Sequence, residues 1–397
     1  GMRSVMAFDP GLRTGIKCVM LSETGALQDT WVLHELRHKA EAERLFLEKL
    51  KKYNPSAIAI GDGTGGREAE LAVKTWLQTA GLAAPPLVVR VSETGASIYS
   101  ASEIAREEFP DLDLTYRGAV SIGRRLQDPL AELVKIPPRS LGVGQYQHDV
   151  NARALQTQLE QSVESCVNRV GVELNTASVP LLKYVSGLNQ KVAENIVAYR
   201  EQKGAFRTRQ ELKKVKGLGP RAFEQAAGFL RIQNGTQILD RTAVHPEQYA
   251  TVEKIAKTLA CSVAQLITQQ SALQHIDIKA YASEHVGHYT LKDIIAELQK
   301  PGRDPREAFQ APQFAQHVQT LDDLETDMVL EGRVTNITAF GAFVDVGVHQ
   351  DGLVHISQLA DRFVKDPQDV VTPGQVLKVK VLEVDKKRQR IQLSARL

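Results

Sequence analysis

Cysteine is scarce. The 397 residues hold three, Cys18, Cys166 and Cys261, widely separated and without a Cys-x-x-Cys pair, which excludes a disulfide framework and a thiolate zinc site. Long apolar runs are absent too. None approaches the roughly 18 residues that a membrane span needs, and Gly1-Met2-Arg3-Ser4 leads straight into strand-like sequence instead of a secretory signal. A cytoplasmic protein without a membrane partner is the expectation. Neither sign of charge is in excess, with 49 Lys plus Arg against 47 Asp plus Glu; taken whole, that balance speaks against a nucleic-acid partner. What is present, 24% charged and 43% hydrophobic residues, describes a soluble folded chain long enough for about two to four domains.

Resolved by segment, the charge is uneven. Residues 1–175 carry 20 basic and 22 acidic side chains, 176–232 carry 11 and 4, 233–324 carry 8 and 11, and 325–397 carry 10 of each. Only 176–232, at +7, has the electrostatic footprint of a phosphate-backbone binder, a solvated helix face being the plain alternative.

Residues 1–150 begin with two strands in a hairpin, Ser4 to Phe8 and Ile16 to Leu21, broken by Asp9-Pro10-Gly11. A third strand (Thr30 to Leu33), a helix (Lys39 to Tyr53), a strand (Ala57 to Ile60), a helix (Arg67 to Thr79) and a strand (Leu87 to Val91) follow, and then helices over Ser97 to Glu108 and Gly118 to Lys135. Gly61-Asp62-Gly63-Thr64-Gly65-Gly66 matches G-x-G-x-x-G, but that fingerprint belongs on the first strand–helix turn of a parallel sheet, and three strands precede it here. A Gly-rich turn in left-handed backbone, or a loop approaching a polynucleotide, fits better. The element order and the acids resemble the YqgF/RuvC branch of the RNase H-like fold. That resemblance implies carboxylates converging on two divalent ions, Mg or Mn, to activate water. Asp9 and Asp128 fit it, with Asp62, Glu68 or Glu93 in the second position; Glu132 follows Asp128 by one turn, and Ala131 stands where resolvases carry a further acid. The alternative is a scaffold without chemistry, whose acids cap helices and face solvent and which needs no cofactor. The Asp9-Pro10-Gly11 turn also resembles the phosphate loop of actin-like ATPases, but no second phosphate loop accompanies it.

Residues 151–232 hold two similar units. Leu181 to Asn189 precedes a helix over Lys191 to Arg200, and Leu212 to Gly219 precedes a helix over Pro220 to Leu230, with Gly187 and Gly217 30 residues apart. They resemble tandem helix-hairpin-helix motifs. The copy Gly217-Leu218-Gly219 matches fully; Gly187-Leu188-Asn189 departs at its last position. Small residues let hairpin backbone approach a phosphate, and the following helix presents N–H groups to it. Lys191 beside the first copy, and Lys214, Lys216 and Arg221 around the second, supply the cations. Such contacts read no bases, so binding is expected to be sequence-independent and salt-sensitive.

Residues 233–324 read as a helical connector, a degenerate helix-hairpin-helix-like unit from Leu239 to Glu247 with helices over Gln248 to Leu259, Ser262 to Gln269 and Leu291 to Gln299. His285 and His288 lack further ligands and are taken as ordinary histidines. Lys300 to Gln319 reads as a linker.

Residues 325–397 alternate through five short strands, a small Greek-key barrel. Alternation puts Ala342, Val344 and Val346 on one face and Phe343 on the other, while Lys378, Lys380 and Arg390 point outward. The segment resembles an S1-type domain of the OB-fold class through Gly341 to Val346, Gly352 to Ser357 and Arg390 to Ser394. That implies Phe340, Phe343 and His355 as base-stacking groups with Asp385 and Arg390 nearby, each stack contributing about 1–3 kcal/mol.

Together the order gives a multidomain fold of α/β, all-α and all-β parts: RNase H-like mixed sheet (1–150), tandem helix-hairpin-helix (151–232), helical connector (233–324) and C-terminal OB-fold barrel (325–397). This order resembles the Tex family of transcription accessory proteins over essentially the whole sequence. The family's longer chains begin with a helical region absent here, so a C-terminal portion of a larger protein is expected. The resemblance implies a monomeric nucleic-acid-binding factor, with RNA and/or DNA as partner and transcription machinery or the ribosome as further partners; a metal-dependent nuclease or resolvase is the alternative.

Overall fold

The computed structural model describes residues 3–11, 14–34, 38–144, 147–268, 281, 287–299, 318, 320–348, 350–386 and 388–396. His285 and nearly all of the linker at 300–319 lie outside them. The chain forms two compact units, Gly1–Pro305 and Arg306–Leu397.

In the first unit, β1 (Val5–Asp9), β2 (Ile16–Leu21), β3 (Leu27–Leu33), β4 (Ala57–Gly61) and β5 (Leu87–Val91) make one sheet in the order β3-β2-β1-β4-β5. The first three pair antiparallel, whereas β4 runs parallel to β1 and β5 parallel to β4. Both faces are buried, which is why β1 and β4 read as unbroken apolar runs. Met6, Phe8, Ile58 and Ile60 meet Phe46 of α1 (Lys39–Tyr53) and Trp76 of α2 (Gly66–Ala80). Val5, Ala7, Ala57 and Ala59 meet Ala119, Val120 and Ile122 of α5 (Leu114–Gln127) on the other side. The two late helices expected from sequence are each broken. Ser102 accepts from Ala105 N and starts α4 (Glu103–Glu108) after α3 (Ala96–Ala101). Asp128 accepts from Ala131 N and starts α6 (Pro129–Leu133), with Pro129 at the first helical position.

The glycine-rich turn after β4 behaves as the sequence suggested, for Gly65 has φ +88° immediately before α2. Past α7 (Ala152–Val170) come α8 (Val179–Leu182), α9 (Gln190–Lys203) and α10 (Pro220–Ala226) around one core that includes Leu182, Ile196, Leu212 and Phe223. Two short parallel strands, β6 (Val172–Glu173) and β7 (Leu230–Arg231), close this subdomain end to end. The connector helices α11 (Tyr249–Thr258), α12 (Val263–Thr268) and α13 (His288–Gln299) pack on Leu239 and Val244.

The second unit is a closed barrel of β8 (Val329–Thr338), β9 (Gly341–Asp345), β10 (Gly352–His355), β11 (Val376–Asp385) and β12 (Arg390–Ser394), ordered β10-β12-β11-β8-β9. Ala342, Val344, Val354, Val379, Val381, Ile391 and Leu393 fill it. No helix among the described residues is long and apolar enough to cross a membrane.

Candidate nucleic-acid interface

The acids of the mixed sheet come first. Asp9 ends β1, and Asp62 and Glu93 follow the ends of the parallel neighbours β4 and β5. Topology alone therefore gathers three carboxylates at one edge. Asp62 accepts a hydrogen bond from the Glu93 backbone N–H at 3.0 Å. Burial pushes the Asp9 carboxyl up to about 6, the Glu93 charge adds to that, and Lys17, paired across from Asp9 on β2, opposes it. Of the three second-position candidates, Glu93 is thus the one that Asp9 feels, while Glu68 is exposed on the first turn of α2.

Asp128 is not part of this group. Asp9 Oδ2 lies against Gly118 in the second turn of α5, and Asp128 sits ten residues further on, about 15 Å along the axis. There it caps α6. Glu132 is buried against Lys135 at 2.8 Å. Although Asp9, Asp62 and Glu93 share one edge of the sheet, among the described residues no three Asp, Glu, His or Cys side chains come together closely enough to hold a metal ion. The residues present do not fit a two-metal centre, and no metal-dependent step follows from them.

The two helix hairpins lean on each other. A Cβ on Gly187 would lie 2.7 Å from Gln225 Cβ and 3.0 Å from the Ala222 carbonyl on α10. Gly217 in turn faces Val192 and Asn195 on α9, and Asn195 Nδ2 donates to the Lys216 carbonyl at 2.8 Å. Each hairpin therefore packs on the helix that follows the other. Both glycines have positive φ, +83° and +82°, the left-handed backbone that side chains disfavour.

Their outer surfaces differ. In the first copy, Asn189 accepts from Val192 N at 2.9 Å, and Lys191 is paired with Glu194 at 3.1 Å. One helix amide and the local cation are already engaged. In the second, Gly219 supplies no side-chain cap to α10, and Lys214, Lys216 and Arg221 are exposed with no ion pair among the described residues. The open amides and unpaired cations belong to the second copy, the one whose sequence matched fully.

On the barrel, the strand registers assemble the outer surface. Phe343 lies opposite Leu353 on β10, and Leu353 lies opposite Gln392 on β12. Gln392 donates to Glu383 of β11 at 2.9 Å. His355 is one outward position along β10, opposite Gly341. Phe340, in the turn before β9, is 50% exposed and meets Phe343 edge to face at 6.2 Å. Its carbonyl accepts from Ile356 N at 2.9 Å, which ties that turn to the end of β10. Gly341 permits this approach, because a Cβ there would lie 2.2 Å from the Val354 carbonyl oxygen. His355 Nδ1 meets the Ser357 side-chain hydroxyl at 2.9 Å and its backbone N–H at 3.3 Å, which fixes the ring against the turn after β10.

Arg390 is exposed one outward position from Gln392, with Asp385 across from it. Asp385 itself accepts from Arg388 N at 3.0 Å and holds the β11–β12 turn. Lys378 and Lys380 fall elsewhere. They pair with Glu331 and Val329, five and seven residues along β8 from Asn336, the partner of Phe343, or roughly 16 and 23 Å of strand. Lys380 is bound to Asp327 at 2.6 Å. Leu353 joins the face unforeseen, although its parity with His355 was the available signal.

Residues 3–127 match the Tex protein YqgF-like domain, 167–231 the helix-hairpin-helix motif, 237–306 the HHH domain and 323–396 the S1 RNA binding domain. Protein tex of Bordetella pertussis is 54% identical over 400 residues, covering 100% of this chain and 50% of its own. Protein YhgF of Escherichia coli is 52% identical over 399 residues, covering 100% and 51%. Transcriptional accessory protein Tex of Neisseria gonorrhoeae is 51% identical over 397 residues, covering 100% and 52%. The chain spans about half the length of these relatives.

Proposed function

The chain belongs to the Tex family of transcription accessory proteins, and on that premise we propose that it is a cytoplasmic nucleic-acid-binding factor of transcription that grips single-stranded RNA or DNA with little regard for sequence. The observation that carries this is the barrel face: the Phe340–Phe343 ring pair stands on the outside of a closed barrel, with His355, Gln392 and Arg390 around it. An aromatic ring is sequence-tolerant because every base offers a π-face, and an adjacent guanidinium attracts the backbone. The second hairpin adds backbone amides and three unpaired cations that recognise phosphate alone. Two weak modules on one chain raise the affinity for any nucleic acid that engages both.

The test is a titration of labelled single-stranded and duplex oligonucleotides at moderate salt. Single strands should bind more tightly than duplex, with no preference among mixed sequences; tighter duplex binding overturns the assignment of the barrel face. Transcription machinery or the ribosome is the class of protein partner that fits such a factor. A partner of that kind should stay bound after nuclease treatment, and its release would reduce it to a passenger on the nucleic acid. The chain acts as a monomer on this account, which sedimentation at working concentration checks.

A further inference from the structure

Phe363 is 93% exposed, more than any other large hydrophobic side chain among the described residues. It lies in the connection from β10 to β11, and that connection is fixed at both ends. On one side Leu359 is buried, Gln358 accepts from Ser394 Oγ at 2.9 Å through its side chain and from Ala395 N at 2.9 Å through its carbonyl, and Arg396 Nε donates to the Ala360 carbonyl at 2.7 Å. On the other side Val364 and Pro367 are buried. The ring is thus held out by an anchored segment, forgoing the roughly 1.5–3 kcal/mol that burial of a Phe gives. Its charged neighbours divide by sign. Asp361 faces Arg396 at 3.6 Å, and Asp366 accepts from Gln368 N at 3.0 Å. Arg362 and Lys365 are exposed and form no ion pair among the described residues. The segment leaves the barrel immediately after His355, at the end where the Phe340 carbonyl is bound by Ile356 N.

We propose that Phe363, flanked by Arg362 and Lys365, is an additional stacking station for single-stranded nucleic acid, taking a base beyond the Phe340–Phe343–His355 group while the two cations meet the adjoining phosphates. It rests on the barrel face being a nucleic-acid site. A ring between cations is the pairing that sequence-tolerant strand binding uses, and site sizes of about 4–16 nucleotides per OB fold leave room for it.

The experiment titrates the whole chain with oligouridylates and oligothymidylates of about four, eight and twelve nucleotides. The parent is compared with Phe363→Ala, Phe363→Leu, Phe363→Trp and Phe343→Ala. The proposal predicts that Phe363→Ala and Phe363→Leu weaken the longer oligonucleotides about fivefold or more but leave the shortest unchanged, since a fivefold loss is the low end of one lost stack. Phe363→Trp should retain affinity, and its added fluorescence should be quenched as the longer strands bind. If Phe343→Ala weakens binding at every length while the Phe363 variants match the parent, the added station is refuted and the barrel face stands. If Phe343→Ala also changes nothing, the barrel-face assignment fails and this proposal with it. An unquenched Trp, or a Phe363→Leu variant equal to parent, leaves the ring to a protein partner and overturns the proposal. The exposure of Phe363 makes all its variants compatible with folding.

Discussion

The Phe340–Phe343 pair sits on the barrel's outer surface, with Phe340 half exposed and Phe343 partly buried against it, so part of the burial free energy of two rings is forgone and a ligand accounts for the arrangement. Phe343→Ala should lower the melting temperature only modestly and weaken single-strand binding about 5- to 150-fold, the range of one lost stack. A titration and a melt on the same preparation check both halves. Asp9 makes the opposite case. Its carboxyl titrates at about 6 against an ordinary 3.8, chiefly because of burial. As pH rises the unfolded chain loses its proton first, so the native state loses stability between about pH 4 and pH 6 and does not regain it above. Asp9→Asn should therefore melt above the parent at pH 8, with the difference fading below about pH 4; equal melts at pH 8 would contradict the burial argument. Legibility at this scale was uneven. The parity of Phe343 was readable from three alternating neighbours. The failure of Asp128 to join Asp9 was not, because it depends on how far along α5 the chain runs before Pro129 restarts the helix.

Elements show the same division. The helix Lys39–Tyr53 and the strand Leu87–Val91 are readable at their observed bounds from apolar spacing and breakers. The apolar stripe Leu155, Leu159, Val163, Val167 and Val170 of α7 is a true helical period, yet of these only Val167 is buried, since spacing reports a face and not what covers it. The matched hairpins were legible as a repeat, whereas their unequal capping required the hydrogen bonds. That inequality is testable. Gly219 has φ −78° and open space where a Cβ would stand, so Gly219→Asn should fold normally, cap α10 as Asn189 caps α9, and weaken binding severalfold by engaging an amide. Unchanged affinity would mean that those amides meet no phosphate.

Arg209 is an element-scale keystone that sequence gave no sign of. It is completely buried, and its guanidinium donates to the carbonyls of Leu230, Thr242 and Val244 and to Tyr249 Oη. Its backbone N–H and Tyr249 both donate to Asp240. This clamps the second hairpin to the connector. Arg209→Met should cost about 3–5 kcal/mol by stranding the buried carbonyls of Leu230, Thr242 and Val244, seen as a lower denaturation midpoint.

For the whole molecule, net charge proved to be the wrong length scale. A total of +2 conceals +7 on residues 176–232, and under the proposed function the barrel, neutral in sum, relies on rings and one outward Arg. Recognition under this proposal is divided between a salt-sensitive hairpin and a barrel face whose stacking responds less to salt. The most direct measurement is a salt series of single-strand titrations on the parent, Phe343→Ala, Lys216→Glu and the double variant. The account predicts that Phe343→Ala lowers affinity at every salt concentration with little change of slope. Lys216→Glu should flatten the slope by about one counterion, and the double variant should lose close to the product of both. A double variant that binds as the parent does, with the same slope, would contradict it.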